Sequence, residues 1–524
     1  MRLTPAFLAT VGAALVLAPA VALVPGIAAS PQAPPFFPHG DHAVLEIYTR
    51  LAASGDQRLG PYSRFHFHHP GPALFYLSLP VYEAAGRSHE GLKLAALVVN
   101  GLSVFGLLWL ARRFAGLGGY LATAVGLAAF MTWWGPAGVL SNWNPTVAVL
   151  PFGLALLAWA GVGAGHWALL PLAVFASSFA VQTHVGCAPV TLALATASLA
   201  IAAAPPIRRA LGMPAVAPRA WLRPGLASCI VAGVLWALPL AEELDPAGGN
   251  LSRIVEVARR DPSRHPSWPG AVRALAENAA PFLMGSDPTP EGSRGLFLVL
   301  AVGLGAALVL ARRAGSAMGV ALSMVTLAGM AAAVYSTTRI PGGAQPYLFG
   351  WMSMLGLGAL IATVVGFGAT PRARDPRLIR FASILAVAVV VLLSALATRT
   401  AWEQAHQPAT PPDPASEWIR MLAEPSVPAL RSSGARRVLV EVERPVPRAV
   451  AVGLLLALDK AGVRFAVSPF GPFRFEGRMA PDGSEDAVLS VAAESSAWTD
   501  RKGARMLARE GGVFLYLLPG RPAG

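Results

Sequence analysis

The chain has 524 residues, 54% of them hydrophobic and 13% charged, with a formal net charge of +13. Soluble domains carry about 25% charged residues, so an ordinary soluble enzyme is excluded, and so is disorder, which needs low hydrophobicity and high charge. The 53 Gly and 46 Pro show no period of three, which excludes a collagen-like chain. A protein dissolved largely in lipid remains. Its positive charge has an explanation other than nucleic acid, and no nucleic-acid partner is expected.

Crossing roughly 30 Å of hydrocarbon takes an apolar helix of about 17–25 residues. About eleven such runs occur, at 6–29, 93–111, 117–134, 145–163, 167–185, 188–204, 224–241, 295–311, 317–335, 347–367 and 381–398. The fifth and sixth read as a tight hairpin or one broken pair. The first segment, with Arg2 and an Ala28-Ala29-Ser30 step, allows a cleaved signal peptide. Its apolar stretch of about 24 residues exceeds a usual signal core, which favours a membrane helix.

Arginines sort to one side. Arg112 and Arg113, then Arg208, Arg209, Arg219 and Arg223, then Arg312 and Arg313, then Arg372, Arg374, Arg377 and Arg380 fall in alternate short loops, with Asp375 as their acid. Intervening loops mix signs, as in Glu242, Glu243, Asp245, Arg253, Glu256, Arg259, Arg260 and Asp261. The positive-inside rule places the N-terminus in the cytoplasm and, after an odd number of crossings, the C-terminus outside. The expectation is an α-helical polytopic membrane domain over 1–399, with outer loops at 30–92 and 242–294. An extracytoplasmic α/β domain follows over 400–524.

The first outer loop concentrates ionisable and aromatic residues. Val44, Ile47, Tyr48 and Leu51 recur at helical spacing, which predicts an amphipathic helix over 41–53 lying at the interface, opened by Asp41. Asp41 is either the N-cap of that helix or a carboxylate positioned to take a proton from an acceptor hydroxyl, and the roles are compatible. His66 and His68 alternate onto one side if their run is extended, so a divalent metal ion is one cofactor to test, although no closed ligand set is evident. Gln182 and His184 are polar residues in an apolar helix, where such groups usually face a protein interior or a wet cavity. Trp143, Arg339 and Tyr347 lie at the same outer level and read as substrate-contacting groups or as interfacial anchors. Asn100, within the second segment, reads as a helix–helix hydrogen bond. Among outer arginines, Arg339 in "YSTTRIPGG" is the first choice to hold a lipid-linked phosphate.

The tail begins with a Pro-rich linker, "HQPATPPDP", and then reads as strands at 436–443, 463–469, 487–493 and 512–518 with a helix at 447–462. Its fifteen basic and fourteen acidic residues are the composition of a soluble domain. Cys187 and Cys229 lie in or beside apolar runs, so no disulfide framework is expected.

The succession of a first helix, "GDHAVLEIYTRL" and then "HHPGPALFYLSLPVYEAAG" leading to the second helix resembles the type C glycosyltransferase superfamily. "SNWNP" (141–145) and "FAVQTHVG" (179–186) are similar to segments of its bacterial members. The resemblance implies a GT-C-like fold and transfer of a sugar from a polyprenyl-phosphate donor to a lipid, glycan or protein acceptor on the outer face of the bilayer. It implies Asp41 as the catalytic carboxylate; with the residues read above, the candidates to bind substrate or donor are His42, Glu46, Arg64, His68, His69, Tyr76, Trp143, Gln182, His184, Arg339 and Tyr347. His42 stands where many members keep a second acid, a departure from any two-carboxylate mechanism. The rival classes are a transporter or flippase, which would place charge at segment centres, and a non-catalytic scaffold for envelope assembly.

Overall fold

The computed structural model describes residues 4–28, 36–217, 219–246, 248–260, 265–371, 373, 375–406, 413–493 and 503–519. Ala29 and Ser30 of the cleavage-like step, the loop start at 30–35, Asp261, Arg372, Arg374 and linker residues 407–412 lie outside them.

The chain divides into two compact units. The membrane unit comprises residues 1–28, 69–74 and 93–407. The second unit comprises 29–68, 75–92 and 408–524, so most of the first loop folds with the tail. Helices in chain order are α1 (Pro5–Ala28), α2 (Gly40–Ala53), α3 (Ala73–Ala84), α4 (His89–Phe114), α5 (Gly116–Trp134), α6 (Val149–Ala164), α7 (Leu170–Thr183), α8 (Ala188–Ala203) and α9 (Leu222–Leu244). They continue as α10 (Asn250–Ala258), α11 (Trp268–Asn278), α12 (Pro290–Arg313), α13 (Ala317–Thr337), α14 (Ser353–Gly368), α15 (Pro376–Ala405), α16 (Pro414–Ser432) and α17 (Arg448–Lys460).

Among the described residues ten helical segments are long and apolar enough to span a bilayer. They correspond to the expected runs except the fifth. That run forms the shorter helical stretch Trp167–Thr183, which ends at an extended His184 before the chain turns into α8. The ends of the spanning helices are built from local chemistry. Thr289 and Ser316 cap α12 and α13 by accepting from Gly292 N and Gly319 N, and the Asp375 carboxylate accepts from Arg377 N at the start of α15. Arg208, one of the expected cytoplasmic arginines, is buried. It donates to Gly163 O at 3.1 Å and Ala164 O at 3.4 Å, carbonyls that the C-terminus of α6 leaves without helical donors. Asn100 donates to Val139 O at 2.9 Å, bracing α4 against the short helix Pro136–Leu140.

The second unit carries a five-stranded sheet of β1 (Val438–Val442), β2 (Phe465–Val467), β3 (Ala487–Ala492), β4 (Arg505–Glu510) and β5 (Val513–Pro519) in the order β2-β1-β3-β5-β4. β1 runs parallel to β2 and β3, joined to β2 through α17, while β5 is antiparallel to both β3 and β4. The helical layer contains α16, α17 and α2 from the first loop. Ala43 to Thr49, Leu51 and Ala52 of α2 are all buried, so it is a core helix of this unit rather than an amphipathic helix with an open polar face.

Candidate active site

In the second unit, Asp41 lies in the first turn of α2. The N-cap position is His39, which makes no side-chain cap, and Asp41 lies inside the first turn, so Asp41 is not the N-cap residue. The Asp41 carboxylate instead accepts a hydrogen bond from Tyr62 Oη, whose ring packs edge-on against Phe473 at 4.7 Å. This half-buried carboxylate lies at the positive end of a helix and is held in a defined orientation by a phenol.

Around it the loop is rigidified by aromatic packing. Tyr48 is fully buried, with Phe75 at 5.5 Å and His68 and Phe475 each at 5.9 Å, and donates to Arg474 O at 3.1 Å. Burial pushes its hydroxyl pKa up. His68 is buried with Nδ1 3.0 Å from Gly60 O, which makes Nδ1 the donor. The extended His66–His68 reading fails, because His66 adopts φ +63° in a turn closed by His66 N to Ser63 O, and its side chain is exposed. Among the described residues no three His, Cys, Asp or Glu side chains gather as a metal site. His42 packs edge-on to His89 at 5.5 Å, Arg64 is exposed over the Phe65 ring, and Tyr76 donates to Gln57 O at 3.1 Å.

Glu46 is completely buried. It takes Lys460 Nζ at 2.5 Å and Tyr82 Oη at 3.0 Å, with His89 Nδ1 at 3.5 Å. Burial raises its pKa, but the hydrogen bonds from His89 and Lys460 outweigh this and hold it below its ordinary value. No local sequence pattern signals this network, whose Lys460 lies at the end of α17, in the tail.

In the membrane unit, a second set of residues gathers where α7 ends. Pro239 within α9 has no N–H, which strands the carbonyl of Leu235 four residues back. Gln182 Nε2 donates to that carbonyl at 2.8 Å, and Gln182 Oε1 accepts at 3.2 Å from Ala73 N, an N–H that the start of α3 leaves unpaired. Both ends of this buried amide are therefore engaged within the protein. Gly71 explains the glycine in "HHPGP", since a Cβ there would collide with Gln182 Oε1 and with Pro239 Cγ. His69 Nδ1 accepts from Val185 N at 3.0 Å, and the His69 ring lies 5.4 Å from that of His184. His184 Nε2 is 3.4 Å from Leu348 O, next to Tyr347, which stacks obliquely on Trp143 at 5.1 Å. Asn144 Nδ2 donates to Thr183 O at 3.2 Å. Arg339 lies just beyond the C-terminus of α13, where a cation is favoured, with its guanidinium 5.3 Å from the Tyr335 ring centre. Thus His69, Gln182, His184, Trp143 and Tyr347 converge around one helix break. Asp41, His42, Glu46, Arg64, His68 and Tyr76 belong to the other unit.

The chain has the type C glycosyltransferase fold, a polytopic helical bundle with an acid-bearing helix in its first loop and a small strand-containing tail domain. Among solved structures, the chain is similar to ArnT from Cupriavidus metallidurans bound to undecaprenyl phosphate, with a TM-score of 0.56 at 14% identity over 97% of each chain. The same enzyme in the apo state matches with a TM-score of 0.53 at 14% identity, covering 92% of this chain and 94% of that one. No protein-family model matches the chain. No curated protein sequence matches it either.

Proposed function

We propose that this protein is a membrane glycosyltransferase that moves a sugar from an undecaprenyl-phosphate-linked donor to an envelope acceptor on the outer face of the membrane. The observation that carries this reading is the similarity to ArnT over 97% of both chains, tail included, since ArnT was solved with undecaprenyl phosphate bound. A donor with a long lipid tail stays in the bilayer, so the enzyme must itself be embedded there. In the proposed reaction the acceptor hydroxyl oxygen attacks the anomeric carbon while the bond from that carbon to the phosphate oxygen breaks. Undecaprenyl phosphate leaves with the electron pair, and Asp41 takes the hydroxyl proton. Tyr62 holds the Asp41 carboxylate in one orientation for that transfer.

Mass spectrometry of envelope lipids and glycans from cells with and without the protein tests the reading. One sugar modification should be missing when the protein is absent. An unchanged profile in cells that make the protein would overturn it.

A further inference from the structure

A cavity of about 640 Å³ opens in the second unit, within the ~300–1,000 Å³ range of small-molecule sites. It is separate from Asp41, since Arg50 on its wall lies nine residues further along α2, about 13.5 Å down the helix axis. Five arginines line it (Arg50, Arg87, Arg437, Arg464, Arg478) against three acids (Glu83, Asp459, Asp482), which leaves the wall with a positive surplus.

These charges differ in what already holds them. Arg437 is occupied by Asp482, by Ser484 Oγ at 2.9 Å and by Ala480 O at 2.8 Å. Arg87 pairs with Glu83 at 2.8 Å in an exposed i,i+4 contact, which is cheap to open. Asp459 is buried and accepts from both Arg50 and Arg478, the latter at 2.6 Å, so one carboxylate fixes two guanidiniums and leaves a positive surplus in place. Burial raises the Asp459 pKa, but the two arginines hold it below its ordinary value, so the carboxylate stays charged. Arg464, at the start of β2, is exposed and makes no ion pair among the described residues.

The surplus charge therefore sits on the Arg478 edge and on Arg464, and guanidinium forks match phosphate and carboxylate oxygens. The remaining wall has the exposed carboxylates Glu83, held by Arg87, and Asp482, held by Arg437 and Ser484 N, which keep further lone pairs for hydroxyl hydrogen bonds, and close backbone at Gly462 and Gly477. Fixed cations beside open acceptors suit a ligand that joins an acidic group to several hydroxyls. We propose that this cavity binds an acidic saccharide, a sugar bearing phosphate or carboxylate. Arg464 and Arg478 grip the acidic group, and Glu83 and Asp482 receive the hydroxyls. The proposal is read by binding alone and stands whether or not Asp41 is the base of a transfer reaction.

The test is calorimetric titration of the purified full-length protein with glucose 1-phosphate and with galacturonate, using glucose and inorganic phosphate as comparators. At least one acidic sugar should bind, more weakly as salt rises, and which one binds tells whether phosphate or carboxylate is preferred. Arg464→Gln should weaken that binding about tenfold or more, the loss expected for a hydrogen bond to a charged group, with Arg464→Lys recovering part of it. Because Arg464 is exposed and unpaired, this variant leaves the fold in place, and an unchanged melting midpoint will confirm it. The proposal is overturned if neither acidic sugar binds, or if Arg464→Gln binds as wild type does. It is overturned equally if inorganic phosphate or glucose binds as tightly as the acidic sugars.

Discussion

Changing Asp41 to Asn separates chemistry from folding. Since Asp41 is not the cap of α2, the substitution removes no cap. Its carboxylate accepts from Tyr62 Oη, and the Asn carbonyl oxygen can accept the same bond. What is lost structurally is one negative charge in the first helical turn, about 0.3–1 kcal/mol. What is lost chemically is the base. General-base contributions of about 10²- to 10⁴-fold correspond to roughly 3–5 kcal/mol on the barrier, several times the structural cost. The assay is the initial rate of sugar transfer by purified protein from the undecaprenyl-phosphate-linked donor, with the melting midpoint measured in parallel. Asp41→Asn should drop the rate at least a hundredfold with a nearly unchanged midpoint. Tyr62→Phe, which keeps the ring against Phe473 but removes the hydrogen bond, should reduce the rate less. Asp56→Asn, in the turn after α2 where Asp56 accepts from Ser54 Oγ at 2.7 Å, should leave the rate near wild type. If Asp41→Asn transfers at a near-normal rate, Asp41 is not the base.

Gln182→Leu should lower the melting midpoint, because it leaves Leu235 O and Ala73 N buried without partners, at about 1–3 kcal/mol each. Adding Pro239→Ala supplies an N–H to Leu235 O and should recover part of that loss, so strict additivity in the double variant would contradict the assignment. Glu46 and Asp459 have folded-state pKa values below their ordinary ones, so the stability they confer is present above the ordinary carboxylate range and is lost as pH falls through their depressed values. Thermal midpoints across an acid series should therefore fall steeply in wild type and less steeply in Glu46→Gln; parallel curves would count against the coupling. A reporter active only in the cytoplasm, fused after Gly524, should stay silent, and activity there would reverse the proposed orientation.

The apolar runs, the helix after Asp41 and four of the five strands were legible in the sequence because each is a local pattern, a length of hydrocarbon or a period that burial imposes on neighbouring residues. β4 was missed because it is an edge strand with Arg505, Arg509 and Glu510 among its six residues, the charged pattern that protects a sheet edge and hides its alternation. Helix α16 was missed because Pro425 and Pro428, which it contains, read as breaks. Pairings between distant segments were decided by the tertiary structure alone. Glu46 and Gln182 read as candidates to bind substrate or donor until the partner of Glu46 proved to be Lys460 and that of Gln182 the Leu235 carbonyl that Pro239 leaves free. Hydropathy and periodicity report what a residue shares with its neighbours in the chain. A buried charge or amide is instead specified by whichever group comes to lie against it, and in both cases that group is tens to hundreds of residues away.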